Sequence, residues 1–339
     1  MHMTPIISVS NLSKKYTVHK KEPGLKGSLK SLVNRKYEKV TAVKDISFEI
    51  KEGELIGFIG PNGAGKTTTL KCLSGLLYPT SGDLQVLGHV PFKRDAKFLK
   101  QVALVMGQKN QLWWDLPPTE TFLLNKEIYG ISDKKYKETL DDLVDLLDVK
   151  DVLHVQVRKL SLGQRMKCEL IAALLHSPKV LFLDEPTIGL DVVMQKKLRD
   201  FIKAYNTKYN ATIILTSHYM EDVRQLCERV IVIDHGAILF DGKLDNLIRE
   251  YTKNKTITVV FEKEVKAEKL KQFGEIQEYD FPKVVLSVKR RDSNTITAKL
   301  LKDFPVLDLN IEEPDIEDII REVFNNNQDT KKSNSQKGS

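Results

Sequence analysis

The stretch from Leu55 to Leu73, LIGFIGPNGAGKTTTLKCL, constrains the chain most, because it reads as a buried strand, a glycine-rich turn and the opening of a helix. Such an order builds a phosphate site. Gly60, Gly63 and Gly65 allow the turn to aim consecutive backbone N–H groups at one anion, with Pro61, Asn62 and Ala64 completing the loop. The helix that begins near Lys66 adds its positive end. Lys66 reaches toward the β- and γ-phosphates, Thr67 offers a hydroxyl to Mg²⁺, and Thr68 can bond a phosphate oxygen. GPNGAGKT therefore meets the phosphate-loop pattern in its required strand-to-helix setting.

A chain of 339 residues, 41% hydrophobic, can bury a large core and suits one main domain plus a smaller one. No apolar run approaches the roughly 18–20 residues that cross a bilayer, and no secretory core opens the chain, so the expectation is a soluble protein. Cys72, Cys168 and Cys227 are widely spaced and odd in number, which suits reduced core residues better than disulfides or zinc. The net charge of +7 resembles a nucleic-acid signal until it is located. Ten Lys and Arg against Glu22 and Glu38 give Met1 to Lys44 a charge of +8, leaving the remainder near neutral. A patch so confined suits lipid headgroups at least as well as nucleic acid.

Along the chain, Ile6 to Val9 with Leu12 reads as a first strand ending at Lys14-Lys15-Tyr16, and Thr41 to Ile50 as the next. Between them, residues 17–40 form a basic insertion. Its Leu25, Leu29, Leu32 and Val33 make the apolar stripe of a short helix, flanked by Lys26, Lys30 and Arg35. That helix either folds onto the domain or faces a membrane or partner. Val102 to Met106 is a strand, and a loop with Trp113, Trp114, Pro117 and Pro118 follows Gly107-Gln108. Residues 115–178 read as an inserted helical segment, with Leu140, Leu143, Val144 and Leu147 on one apolar face. Val180 to Leu183 and Thr212 to Thr216 are further strands, and strands separated by helices predict a doubly wound α/β sheet with ligands at the carboxyl ends. After residue 250 the pattern becomes β-α-β-β-α-β followed by a helix with Ile316, Ile319, Ile320 and Val323, a ferredoxin-like α+β order over 251–324. Residues 325–339 read as a disordered tail.

Asp184 ends an apolar strand where it can hold Mg²⁺ directly or through water, and Glu185 beside it is placed to polarise an attacking water. With Pro186-Thr187 after this pair and the phosphate loop before it, the chain resembles the ATP-binding cassette (ABC) ATPases over about Ile6 to Glu250. Leu160-Ser161-Leu162-Gly163-Gln164 is similar to the family signature, and Gly189-Leu190-Asp191 to its D-loop. His218 matches the switch histidine, Gln108 the Q-loop glutamine and Mg²⁺ ligand, and Tyr16 the aromatic that stacks on adenine. The resemblance implies a P-loop NTPase cassette (residues 1–250) that binds ATP and Mg²⁺ and hydrolyses ATP. It implies a head-to-tail pair in which Ser161, Gly163 and Gln164 of one copy face the nucleotide of the other. Physically, a hydroxyl, free N–H groups and a positive helix end at Ser161 suit a second anionic surface. Leu162 departs from the usual glycine, which bears on the subgroup more than on activity.

GQKNQLWWDLP and LSLGQRMK are similar to cassettes serving ABC-2-type exporters, including viologen and drug exporters. That resemblance implies separate transmembrane permease subunits and a peripheral place at the cytoplasmic face of the membrane. Trp113 and Trp114 would then lie beside the groove for the permease, with one ring packed inside and the other docking. The alternatives are a soluble ABC ATPase acting on ribosomes or DNA, a silent regulatory cassette, and an importer subunit. Lys66, Gln108, Glu185 and His218 argue against silence, and neither a second cassette nor a long coiled coil accompanies this one.

Overall fold

The structure, a computed structural model, describes residues 5–19, 37–107, 109–251, 254–312, 319–320 and 323–324. The chain divides into two compact units, Met1–Gly242 and Lys243–Ser339.

In the first unit, β1 (Ile7–His19), β2 (Tyr37–Ile50) and β4 (Ser81–Val86) form an antiparallel sheet ordered β2-β1-β4, with β3 (Leu55–Ile59) intervening in the chain. These strands stand apart from the doubly wound sheet. Both β1 and β2 run further than their apolar alternation predicts, pairing Tyr16 with Val40 and His19 with Tyr37. The extra length is exposed ribbon held by backbone bonds, so hydrophobic pattern does not mark it. The basic helix expected at Leu25 to Val33 lies outside the described residues.

The main sheet follows the order β5-β6-β7-β3-β8-β9, built from β5 (Val102–Met106), β6 (Val180–Asp184), β7 (Thr212–Thr216), β8 (Arg229–Asp234) and β9 (Ala237–Lys243). Its pairs β5/β6, β6/β7, β7/β3 and β3/β8 are parallel. Every residue of β6 and β7 is buried, the continuous apolar run of strands covered on both faces. Helix α1 (Lys66–Leu73) touches β2, β4 and β6. Its Leu70 and Leu73 join Ile7, Ile46, Phe58 and Phe182 in one core. Each such side chain contributes about 2 kcal/mol by leaving water. After a turn of helix at α2 (Ala96–Leu99) and strand β5 come α3 (Pro118–Tyr129), α4 (Asp133–Leu147) and α5 (Leu162–Leu174), the inserted helices. Helices α6 (Val192–Tyr209) and α7 (Met220–Leu226) complete the unit.

The second unit holds α8 (Leu244–Tyr251), β10 (Asn254–Phe261), α9 (Ala267–Leu270), β11 (Glu275–Asp280), β12 (Lys283–Lys289), α10 (Ser293–Asp303) and β13 (Val306–Glu312). Its antiparallel sheet order, β11-β12-β10-β13, is the ferredoxin-like arrangement expected. Alternate residues Ile257, Val259 and Phe261 meet Val284, Leu286 and Leu300 in a separate core. Helix α9 is one turn, shorter than its apolar spacing predicts. Ile319, Ile320 and Val323 are buried, whereas Ile316 and the tail from residue 325 lie outside the described residues.

Candidate functional site

The site forms where the carboxyl ends of β3, β6 and β7 meet the start of α1. Between β3 and α1 the loop Gly60 to Gly65 bends tightly, and Gly65 takes φ 111° at the helix cap. A Cβ there would lie 2.5 Å from the Ala42 carbonyl oxygen, so only glycine lets β2 close on the loop. Pro61, Asn62 and Gly63 are exposed at the rim, Ala64 is buried, and Thr68 is half-buried. The Lys66 ammonium is buried, donating to Gly60 O at 2.6 Å and Pro61 O at 3.1 Å. Burial pushes its pKa below the ordinary lysine value, while the carboxylates of Glu185 and Asp184 oppose that shift. An anion in the loop would meet this ammonium and the positive start of α1 together.

Thr67 Oγ1 donates to Asp184 at 2.8 Å and 3.1 Å, bringing a hydroxyl from α1 against the carboxylate that ends β6. Thr216, at the end of β7, donates its hydroxyl to Asp184 at 2.8 Å and accepts the Glu185 N–H at 3.1 Å. Glu185 has φ 55°, a left-handed backbone strained for a carboxylic side chain. Its Oε1 lies 2.6 Å from Nε2 of His218, which follows β7. The arrangement sets a carboxylate that can take a proton from water beside an imidazole that can position it.

Among the described residues no group of three His, Cys, Asp or Glu side chains could hold a metal. The adjacent Thr67 hydroxyl and Asp184 carboxylate are nevertheless hard oxygen donors that fit Mg²⁺, which keeps several waters and takes substrate phosphate oxygens. Gln108 lies outside the described residues. Gly107 before it donates to Asp184 O at 2.9 Å, so that loop leaves β5 beside the carboxylate.

A second group of the expected residues gathers at the start of α5. Ser161 caps this helix, accepting from Gln164 N at 3.2 Å while Gln164 Oε1 accepts from Ser161 N at 2.9 Å. Asp191 caps α6 by accepting from Met194 N at 2.9 Å. Tyr16 stands instead on the antiparallel ribbon, opposite Val40 and close along β2 to the Ala42 contact with the loop. Its ring is partly exposed, with the Lys14 ammonium 5.2 Å from the centroid. Trp113 and Trp114 are both about half exposed, so the expectation of one internally packed ring is corrected. Trp114 instead stacks under Arg165, 5.7 Å away.

Motif reading missed the bracing behind this site. Asp222 is fully buried and accepts from Thr187 at 2.6 Å, Ser217 at 2.7 Å and Arg199 at 2.8 Å. It thereby ties the turn after Glu185 to the turn before His218. Thr216 was missed too; a hydroxyl ending the strand next to the one ending in Asp184 is the available signal.

Residues 43–188 match the ABC transporter family, and residues 253–312 match the EvrA-like ABC transporter C-terminal domain. The ABC transporter ATP-binding protein NatA of Bacillus subtilis is 32% identical over 66% of this chain and 89% of that protein. The bacitracin transport ATP-binding protein BcrA of Bacillus licheniformis is 32% identical over 65% of this chain and 71% of its own length. A solved ATP-binding subunit of an ABC transporter covers 73% of this chain and 93% of its own, at 25% identity and a TM-score of 0.61. The bacterial cassette MJ0796, solved as a dimer, shares the fold at 23% identity and a TM-score of 0.58, covering 70% of this chain and 98% of its own. The chain belongs to the ATP-binding subunits of ABC transporters and is an ATP hydrolase.

Proposed function

We propose that this ATPase powers an exporter through separate ABC-2-type permease subunits, at the cytoplasmic face of the membrane, with ATP held by Gly60 to Thr68. The observation that carries the chemistry is the contact of Thr67 with Asp184 beside Lys66 and Glu185. Mg²⁺, held by Thr67, Asp184 and Gln108, neutralises phosphate charge when bound. Glu185 takes the proton of the attacking water, His218 orients it, and Lys66 binds the transferred phosphate oxygens. Tyr16 stacks on the adenine. A second copy brings Ser161, Gly163 and Gln164 against the same nucleotide, with Asp191 at the seam. Relatives named for transport of bacitracin and resistance to linearmycin support export over import or action on nucleic acid.

Lys66→Ala tests the phosphate cradle. Binding of a fluorescent ATP analogue should fall by about tenfold or more, because the buried ammonium is lost; parental binding would overturn the assignment.

A groove of about 440 Å³ between β5, α3 and α5, lined in part by Met106, Gln111, Ile128 and Tyr129, supports docking of a permease segment. The positive charge of the basic insertion, with Lys26, Lys30, Arg35 and Lys36, suits anionic lipid headgroups as its partner. Neutralising those four side chains should reduce flotation with permease-free anionic vesicles, and equal flotation would remove lipid as a partner.

A further inference from the structure

A second cavity, of about 320 Å³, lies away from the phosphate loop, between the end of α4, the first turns of α5 and one face of α6. Leu147, Met166, Leu198 and Phe201 give it apolar walls. Interiors are packed to crystal-like density, and a void this large is of ligand size rather than a packing defect.

Its charges are unevenly placed. Lys197 and Asp148 pair at 3.6 Å with both side chains more than half exposed, and Asp200 is exposed as well, so these three sit in water at the mouth. Lys167 is the buried cation of the wall. Among the described residues its ammonium donates one long bond, 3.4 Å, to the Asp148 carbonyl oxygen. Burial lowers its pKa, nearby Lys197 lowers it further, and Asp148 partly opposes both. Among the described residues no carboxylate lies within ion-pair distance of this ammonium, so an anion entering the cavity has a cation to pair with.

We infer that this cavity binds a medium-chain acyl carboxylate, its chain against Leu147, Met166, Leu198 and Phe201 and its head on the Lys167 ammonium. The site is independent of the reading of the ATP site. It does touch the same machinery, because Gly163 and Leu190 also line it. A Cβ at Gly163 would lie 2.8 Å from Met194 Cε, so an occupant would sit beside the turn that caps α5.

The test is calorimetric titration of the full chain with decanoate, 1-decanol and decyltrimethylammonium, each below its micelle threshold. Decanoate should bind most tightly and the cation most weakly. Lys167→Met keeps the length and apolar stem of the side chain and should weaken decanoate by about tenfold while leaving decanol unchanged. Ala204→Trp, at an exposed position on the rim, should weaken decanoate and decanol together while nucleotide binding stays at the parental level. Equal affinity for the anion and the cation, or decanoate binding indifferent to both substitutions, would overturn the inference even if either variant were poorly folded, since the head-group comparison uses the parental chain.

Discussion

Glu169 shows how a single residue can couple two elements of this molecule at a measurable cost. It lies buried on α5, accepts from Gln111 N at 3.4 Å and has the Arg165 guanidinium 3.7 Å away. Burial pushes its pKa up from 4.5 to about 7, opposed by the Gln111 N–H and Arg165. The folded chain thus keeps a proton that the unfolded chain releases near pH 4.5. Its contribution to stability falls as pH rises from about 4.5 to about 7 and stays level above. The cost at neutral pH is on the order of 3 kcal/mol. Glu169→Gln keeps the acceptor and removes the charge. In urea melts the variant should gain on the parent as pH rises from about 4.5 to about 7 and hold that gain above; an offset independent of pH would contradict the assignment. Nothing in the sequence marked Glu169, since its burial arises from packing between α5 and the loop after β5. Lys66, Asp184, Glu185 and His218 were legible because motif spacing alone puts Lys66 at the helix start after the phosphate loop and the other three at or just past strand ends. Asp222, Arg199 and Thr216 were not, because their bonds join residues from different elements.

Strands β3, β5, β6 and β7 of the main sheet were legible as elements because they are largely covered on both faces and read as apolar runs. The half-exposed β9 and the short β4, which buries only Leu84 and Val86, were missed, and β8 was missed although Val230 to Ile233 is as buried a run as β6. The loop with the two tryptophans is the element whose role changed most. Its rings do not line the groove beside Gln111, and they differ in their neighbours. Trp114 is engaged by Arg165, whereas Trp113 is the more exposed of the two. Trp113→Ala should therefore lower co-purification with the permease while leaving the melting temperature near the parental value. Trp114→Ala should cost about 0.5–1 kcal/mol of stability through the lost cation–π contact. If neither substitution weakens co-purification, this loop is not a docking surface.

At the scale of the whole molecule, strand order is the property least accessible to a linear reading. Neighbours such as β7 and β3 are more than a hundred residues apart, and the antiparallel sheet recruits β4 across the phosphate loop. Only the ferredoxin-like unit was legible in topology, because its element order admits few sheet arrangements. The proposed chemistry joins all scales: Glu185, with its left-handed backbone, lies against His218, and we propose that it activates water at a nucleotide shared by two copies. Glu185→Gln retains the shape of the site and removes the base. Measured on purified protein with ATP and Mg²⁺, nucleotide binding should persist, phosphate release should fall by about 10² or more, and an ATP-dependent dimer should accumulate. Phosphate release at the parental rate would contradict the account.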